Sequence, residues 1–238
     1  MTRIYFYNIR TGVMQTGVLS DLRVLEEMKK GNIVVSPFKR ENLKSASLDV
    51  SLGKYYFREQ HPRIRSSFFN PYQKSQVTEI WKADIAKPAR DWMKQYGNGS
   101  DWEGISRDDL VILIGPGETI LGHTEEFVGG RNGFLGMMKS RSSFGRIFID
   151  VCKSAGWGDV GYINRWTMEI TNFSASYTIP LVAGRTIAQM VFFEVGDTTI
   201  QYHQQGKYQT VGDIKKLKSM WKPEDMLPRL WKDAPKVK

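Results

Sequence analysis

Three short stretches in the second half of the chain carry side chains that could do chemistry. The first, residues 139–146, offers hydroxyls from Ser142 and Ser143 and guanidiniums from Arg141 and Arg146. Arginine makes bidentate, charge-assisted hydrogen bonds, so this stretch suits a phosphate chain. An ordinary solvated turn is the structural alternative, and the residues alone leave both interpretations open.

The other two stretches each present one carboxylate. Asp159 lies in a glycine-rich turn at 154–162, and Glu169 lies in the alternating stretch 166–172, on the strand face opposite Trp166. A carboxylate held on an inward face could have a raised pKa suited to proton transfer. Asp is also common in turns, and most strand glutamates lie on the outer face of an antiparallel sheet, so purely structural roles stay open.

The elements that must position these groups are predicted to be mainly β. One short helix is expected at about 21–30, capped by Ser20 and ended by Gly31, with an apolar stripe of Leu22, Leu25 and Met28. The predicted strands are apolar or alternating: 33–35, 45–53, 110–114, 118–122, 147–151, 166–171 and 186–195. Several short strands punctuated by glycine favour a closed barrel or a jelly roll.

The chain is interpreted as one β domain with additions. The N-terminal extension, the domain and the basic C-terminal tail are, in order, 1–17, 18–210 and 211–238. The domain carries an elaboration at about 58–108, with one short helix expected near 88–96. The lysines of the tail are expected to form a solvated face, while Trp221 and Trp231 pin the tail to the barrel or to a neighbour.

Composition narrows the class of protein. The 238 residues are 41% hydrophobic, with 34 Lys plus Arg against 25 Asp plus Glu and a net charge of +9, which excludes a disordered chain. The charge permits nucleic acid, anionic lipid or a phosphorylated small molecule as a partner, but no nucleic-acid motif is recognisable. No apolar run approaches the roughly 20 residues of a membrane helix, and no signal peptide is evident. A soluble, cytoplasmic protein is therefore expected.

The order and spacing of the three stretches resemble the dCTP deaminase branch of the dUTPase-like superfamily. That branch shows Arg-Ser-Ser-x-x-Arg, then Thr-Ala-Gly-x-Ile-Asp-Pro-Gly-Phe, then Leu-Glu-Leu-x-Asn; the matching residues here are 141–146, 154–162 and 168–172. Further similar segments are 45–53, the strand pair 115–118 with 121–126, and 183–189. The resemblance covers roughly 18–57 and 108–210, and six motifs in the right order make it specific although each alone is weak.

The resemblance implies a homotrimeric, distorted jelly roll that hydrolyses the 4-amino group of dCTP without zinc. In this family the residue matching Glu169 is the general base, the backbone at Ala155 helps hold the water, and Ser142 completes the catalytic group from the neighbouring subunit. Asp159 would contact the deoxyribose 3′-hydroxyl and Tyr162 would pack on the sugar. The implied triphosphate ligands are Ser142, Ser143 and Arg146 from the neighbouring subunit, together with Arg141, Gln189, Tyr202 and Lys207. Mg²⁺ would be bound through the triphosphate.

The sequence does not contain the ligand signature for zinc-dependent deamination of the cytosine ring. Zinc deaminases use His-x-Glu and Pro-Cys-x-x-Cys signatures, and one cysteine with three histidines cannot assemble them. Cys152 stands where the family often has histidine, and it is expected to be a small buried residue. Gly158 and Val160 replace the usual isoleucine and proline beside Asp159, which predicts a looser turn. Val211 replaces a glutamine of the family tail.

Several functions compete with plain dCTP deamination. A bifunctional enzyme would also release pyrophosphate and give dUMP, and its residues overlap with those of the deaminase. A plain dUTPase is disfavoured by Glu169, because that class usually has an apolar residue at this strand position. A non-catalytic nucleotide-binding regulator is suggested by the altered turn and tail.

Overall fold

The computed structural model describes residues 17–60, 68–97 and 102–233, so nearly all of the predicted N-terminal extension lies outside the described residues. Strands dominate. They are β1 Gly17–Val18, β2 Ile33–Ser36, β3 Leu48–Ser51, β4 Tyr55–Glu59, β5 Trp81–Ile85, β6 Lys87–Pro88, β7 Leu110–Ile114, β8 Thr119–Gly130, β9 Phe134–Ser140, β10 Ile149–Asp150, β11 Trp157–Gly158, β12 Ile163–Asn172, β13 Ile179–Val182 and β14 Thr186–Glu194. The helices are short: α1 Asp21–Lys29, α2 Lys74–Ile80, α3 Ala89–Tyr96, α4 Ser142–Arg146, α5 Tyr202–Gln205 and α6 Ile214–Met220.

The strands form antiparallel sheets around one main core. One sheet runs β1-β14-β9-β11 with β3 on β14, and a second runs β10-β12-β8-β4-β5 with β2 on β8. A third, smaller sheet is β13-β7-β6. Alternate side chains of β12 and β14 point between the two larger sheets, where Trp166, Met168, Ile170, Met190 and Phe192 are buried. Burial of this apolar surface is the main term that stabilises the arrangement.

The first helix confirms its predicted bounds and corrects its predicted face. The Ser20 hydroxyl accepts a hydrogen bond from the Arg23 amide, and Gly31 follows with a positive φ of 76°. Leu22 is 70% exposed, so the predicted stripe is wrong at that position. The buried face carries Val24 and Glu27 instead. Glu27 is tolerated there because Lys30 and Asn32 donate hydrogen bonds to its carboxylate.

Two predicted strands differ from the structure. The stretch 45–53 was expected to be half-buried, but all four residues of β3 are buried, and the Ser51 amide donates to the buried Glu126 carboxylate. The stretch 147–151 forms only the two-residue strand β10, and Ile147 is 46% exposed at the end of α4. The polar residues before this stretch form α4. A pattern of hydrophobic alternation could not indicate that helix.

The C-terminal segment is docked on the second sheet. Leu217 of α6 packs with Phe127 and Ile163, and Met226 and Leu227 pack with other apolar residues of β4 and β8. Lys215 and Lys216 of α6 are exposed, as predicted, whereas the Lys218 ammonium donates a hydrogen bond to the Ser36 hydroxyl of β2. The segment therefore packs its apolar side chains on the second sheet. No helix in the described ranges is long and apolar enough to cross a membrane.

Candidate active site

A cavity of about 450 Å³ lies against the outer face of β12. Its walls come from β12 itself, its neighbour β8, the turn at 155–162, the edge strand β5, α5 and the segment after α5. The strand brings Glu169 and Thr167 to this face because its alternation sends Trp166 and Met168 towards the core. A space of this size is sufficient for a small organic ligand.

Glu169 is the half-buried carboxylate of this cavity. Burial raises its pKa to about 7, an effect partly opposed by the nearby positive charge of Lys153 and assisted by the negative charge of Asp150. A carboxylate with this pKa is about half ionised at neutral pH, so it can take a proton from water and return it within one reaction cycle. Glu169 therefore lies on the outer face of β12, as the structural alternative expected, and the expectation of an inward face is wrong. It is half-buried there because the turn at 155–162 and the C-terminal segment line the same cavity.

The turn that carries Asp159 is fixed by packing, which corrects the expectation of a looser turn. Gly158 pairs with Gly136 of β9, and a β-carbon added to Gly158 would lie 2.4 Å from Cη2 of Trp166. The Asp159 carbonyl accepts a hydrogen bond of 2.9 Å from the Tyr162 amide. The glycine is thus required by close approach of the indole ring, and the bulky Trp166 occupies space that a larger turn residue would need.

Two tyrosines form one wall of the cavity. The Tyr162 ring meets Trp166 edge-on at 5.2 Å between centroids, and Tyr202 meets Tyr162 edge-on at 5.0 Å. Burial is the main reason that the pKa of both phenols is raised, so they stay neutral. This wall offers flat apolar surface beside the Asp159 carboxylate, as a sugar or base would need.

Ala155 lies at the cavity edge, and its neighbour Cys152 lies beneath it. The Ala155 amide donates to the Cys152 carbonyl over 2.6 Å, which holds this turn tight. Cys152 is 5% exposed, and burial together with the charge of Asp150 raises the pKa of its thiol. A buried thiol with a raised pKa is a poor nucleophile, so the interpretation of Cys152 as a small buried residue is confirmed.

The predicted phosphate ligands of the first stretch do not line this cavity. Ser142, Ser143 and Arg146 are exposed on α4. Arg141 is turned inward, where its guanidinium donates to the Thr186 hydroxyl over 2.5 Å. Its Nε also lies 3.5 Å from the Asp49 carboxylate. Gln189, half-buried on β14, is likewise absent from the cavity wall.

The segment after α5 is anchored to β12 beside the cavity. The Gln209 side chain is 3% exposed, accepts from the Ile163 amide over 2.7 Å and donates to the Gly161 carbonyl over 3.1 Å. Lys207 does not line the cavity, and its ammonium lies 2.5 Å from the Asp233 carboxylate. Tyr202 therefore joins Glu169, Ala155, Asp159 and Tyr162 in the cavity, and Lys207 does not.

Sequence reasoning missed the residues that roof the cavity. They are Trp81 of β5, Tyr208, Met226 and Pro228. Met226 is 3% exposed and packs with Leu121, which also lines the cavity. The signal available in the sequence was the spacing of Trp221, Met226 and Leu227 among lysines, which is typical of a segment that docks by one face.

The comparisons with known proteins agree with this geometry. Residues 18–195 match the family model for dCTP deaminase-like proteins. The dUMP-forming dCTP deaminase of Methanosphaerula palustris is 24% identical over 81% of this chain and 90% of its own length. The dCTP deaminase of Haloarcula marismortui is 26% identical over 75% of this chain and 80% of its own length. The dUMP-forming dCTP deaminase of Methanopyrus kandleri is 28% identical over 80% and 90%.

A solved structure shares the fold. The crystal structure of 2′-deoxycytidine 5′-triphosphate deaminase from Agrobacterium tumefaciens aligns with a TM-score of 0.53 and 14% identity over 81% of this chain. The alignment spans 54% of that protein, so this chain matches about half of its length. The matched family model runs through both large sheets and includes the lining residues of the cavity from Trp81 to Glu169, whereas Tyr202 and the C-terminal part of the roof lie beyond it. The chain belongs to the dCTP deaminase-like family.

Proposed function

We propose that this chain catalyses the hydrolytic deamination of dCTP to dUTP and ammonia. The observation that carries the proposal is Glu169, a carboxylate with a pKa of about 7 in a cavity that also holds Ala155, Asp159 and Tyr162. These are the positions at which family members place their base, water site and sugar contacts. The homologues named dCTP deaminase support the same substrate.

The chemistry follows from the position of one proton acceptor. A water held beside Glu169 loses a proton to the carboxylate as its oxygen adds to C4 of the cytosine ring. Glu169 passes this proton to the ring nitrogen N3 as the tetrahedral carbon forms. The carboxylate then takes the proton of the new C4 hydroxyl and gives it to the amino nitrogen, so that the C4–N bond breaks, ammonia leaves and the C4 carbonyl of the uracil ring forms. A pKa near the working pH lets the same carboxylate act as base and then as acid.

The roof over Glu169 supports this step by limiting solvent. Trp81, Met226 and Pro228 add apolar surface to the lining of the cavity that holds the carboxylate. Exclusion of bulk water keeps the pKa of Glu169 raised and keeps the attacking water in place. In the proposed complex, Asp159 contacts the 3′-hydroxyl of the sugar, and the Tyr162 ring packs against it.

We further propose that the active enzyme is a homotrimer with sites between subunits, and the jelly-roll detail of the fold stays a prediction. Ser142, Ser143 and Arg146 are exposed and outside the Glu169 cavity of their own chain. Beside them Ile147 and Phe148 are 46% and 51% exposed. Exposed apolar side chains next to unused cationic and hydroxyl groups are typical of an interface. A neighbour docked there would present its cavity to the triphosphate ligands of α4.

Subunit mixing tests the shared site. Glu169→Gln and Arg146→Ala variants should each be inactive as homotrimers. Mixed and reassembled in equal amounts, they should regain activity, because about one site in four then combines an intact Glu169 with an intact Arg146 from the neighbour. Mixtures that stay inactive although heterotrimers form would contradict the shared site.

Mg²⁺ is proposed to be bound with the nucleotide. Among the described residues, no three His, Cys, Asp or Glu side chains are grouped so that they could hold a metal ion. Mg²⁺ prefers six oxygen ligands, and the cavity itself offers only the carboxylates of Asp159 and Glu169. These residues suit an ion that arrives with phosphate oxygens and water already bound, which would neutralise charge on the triphosphate.

A second reaction, release of pyrophosphate to give dUMP, is favoured by one observation. Asp159 lines the same cavity as Glu169, so both carboxylates would face one bound nucleotide. Several relatives are named as dUMP-forming dCTP deaminases. In the bifunctional case Asp159 would activate the water that attacks the α-phosphorus after deamination.

One assay separates these functions. The protein is incubated with Mg²⁺ and dCTP, dCMP, dUTP or CTP, and the products are resolved by chromatography. Conversion of dCTP to dUTP establishes the deaminase, and conversion to dUMP and pyrophosphate establishes the bifunctional enzyme. Glu169→Gln should abolish ammonia release while nucleotide binding remains. Retained turnover in that variant would exclude Glu169 as the base, and absence of turnover with intact binding would favour a regulator.

A further inference from the structure

A second cavity, of about 380 Å³, lies where the C-terminal segment crosses the second sheet. It is separate from the Glu169 cavity, with which it shares no lining residue. Its charged side chains are all cationic: Arg165 of β12, Lys218 of α6, and Lys222 just after α6. The remaining lining residues are aromatic or apolar, and Trp221 is the largest of them.

Arg165 is held in this cavity without a direct partner for its charge. Its guanidinium carbon lies 4.6 Å from the ring centroid of Trp221 and 5.2 Å from that of Phe127. Its Nε is buried and has no hydrogen-bond partner. Within the described ranges, no salt bridge of 4.0 Å or less joins it to a carboxylate. Desolvation of a cation without a hydrogen-bonded anion is costly, so the site is prepared for an anion.

Nearby acidic groups do not remove this imbalance. Burial lowers the pKa of Arg165, and the negative charges of Glu125 and Glu126 raise it by less. The Glu126 carboxylate already accepts a hydrogen bond from the Ser51 amide. The guanidinium therefore stays undercompensated even with these neighbours included.

The two lysines add charge on the same side. The Lys218 ammonium donates to the Ser36 hydroxyl, which holds it over the sheet. Lys222 is exposed, and no salt bridge joins it to a carboxylate among the residues that the structure describes. Three cations around one concave space repel one another unless an anion neutralises them.

We propose that this cavity binds a phosphate-bearing small molecule, with Arg165 contacting the phosphate from the floor and Lys218 and Lys222 from the rim. The rings of Trp221 and Phe127 hold the Arg165 guanidinium in place and are not proposed to contact the ligand. One neighbour of Trp221 is Arg165, and another is His123, whose ring centroid lies 4.8 Å from that of Trp221. Recognition therefore rests on the phosphate chain, and inorganic polyphosphate and nucleotides share that chemistry. A concave space of this volume fits such a ligand better than an extended nucleic-acid strand.

Occupancy of this site would act on the roof of the other cavity. Lys222 immediately precedes a 3₁₀ turn, Pro223–Met226, and Met226 lines the Glu169 cavity. A ligand that bridges Arg165 on β12 and Lys222 would stabilise the docked position of this segment, because binding favours the state that binds.

Calorimetric titration tests the site without any need for turnover. All variants carry Arg146→Ala, which removes one proposed phosphate contact of the active site, and inorganic tripolyphosphate is the titrant. We expect saturable binding that weakens about tenfold or more in Lys218→Ala/Lys222→Ala and in Arg165→Gln. The matched control Lys215→Ala/Lys216→Ala removes two exposed lysines of the same helix, and its affinity should change less than about twofold.

The outcomes are distinct from those of the activity assay. No saturable binding in the Arg146→Ala background, or equal weakening in both lysine pairs, would overturn the proposal. A DNA oligonucleotide that binds more tightly than tripolyphosphate, with the same dependence on Lys218 and Lys222, would assign the surface to nucleic acid instead. The affinities of dCTP and of tripolyphosphate are compared, and the tighter ligand shows whether the site prefers a nucleotide or inorganic polyphosphate. These binding results decide the proposal even if the deamination assay shows no turnover. Melting curves are measured to confirm that the variants fold.

Discussion

Glu169 lies directly opposite Leu121 in the pairing of β12 with β8, and Leu121 packs against Met226 of the C-terminal segment. All three residues line one cavity. Leu121 therefore contacts both the strand position of the proposed base and the segment that excludes water from it. It follows that changes in the C-terminal segment should be measurable as changes in the pKa of Glu169.

Met226→Ala should lower the pKa that controls activity. Removal of the buried side chain leaves a void above Leu121 and admits water to Glu169, whose raised pKa depends first on burial. We expect the acidic limb of the kcat/KM profile to move to lower pH, kcat to fall, and stability to drop by about 2–5 kcal/mol. The control is Met220→Ala, since Met220 is 60% exposed. If the acidic limb of the kcat/KM profile does not move in Met226→Ala, then the roof does not control the pKa of Glu169.

The activity of the wild-type enzyme should rise with pH through a midpoint near 7. Glu169 accepts a proton from water only when it is ionised, and its pKa of about 7 places the ionised form above that pH. The measurement is kcat/KM for dCTP from pH 5 to 9 at constant ionic strength. A profile that is flat down to pH 5 would mean that the base is fully ionised there and that burial does not control it.

Glu169→Gln should be more stable than the wild type at high pH. The pKa of Glu169 is raised from 4.5 to about 7 in the folded state, so folding disfavours its charged form. The wild type therefore loses stability as pH rises through this window, and the uncharged glutamine does not. We expect the two proteins to match near pH 4 and to differ by about 1–3 kcal/mol at pH 8, measured by denaturant unfolding. The control Glu224→Gln changes an exposed carboxylate and should show no such divergence.

The parts of the fold that the sequence predicted are those governed by local periodicity. The alternation of Trp166, Met168 and Ile170 placed Glu169 on the opposite face of β12, and the structure confirms this. Ser20 and Gly31 set the bounds of α1 because capping chemistry acts within a few residues. Leu22 was misplaced because the buried face of a short helix depends on how the helix docks, which its spacing does not contain.

The parts of the site that the sequence did not predict depend on contacts between distant segments. Trp81 and Met226 lie far from Glu169 along the chain, and only the docking of β5 and of the C-terminal segment brings them to one cavity. The loose turn predicted from Gly158 was wrong for the same reason, since the space beside it is taken by Trp166 from a different strand. The roles of Ser142 and Arg146 stay predictions that need a second subunit.

Gly158→Ala should destabilise the turn that carries Asp159. The added methyl would lie 2.4 Å from Cη2 and 2.6 Å from Cζ2 of Trp166, and a buried indole cannot move freely. We expect a loss of about 1–3 kcal/mol in unfolding free energy and weaker nucleotide binding. Gly145→Ala is the matched control, because a β-carbon there meets nothing within 4 Å. If Gly158→Ala matched this control in stability, the close approach of the indole would not be the reason for the glycine.

Arg229→Ala should loosen the attachment of the roof over the cavity. The Arg229 side chain donates to the Lys207 carbonyl over 2.9 Å and to the Asp225 carboxylate over 2.6 Å, and its amide donates to the Tyr208 hydroxyl over 3.2 Å. Loss of the guanidinium removes the bond that ties the roof to the Lys207 carbonyl after α5 and the bond to Asp225 within the roof segment itself. We expect faster proteolysis of the C-terminal segment and a KM for dCTP raised about three- to tenfold, since each charge-assisted bond contributes about 1.5–3 kcal/mol before relaxation. Lys232→Ala, an exposed position close by, should leave both measurements unchanged. Equal protease resistance in the two variants would show that apolar packing of Met226 and Leu227 alone holds the roof in place.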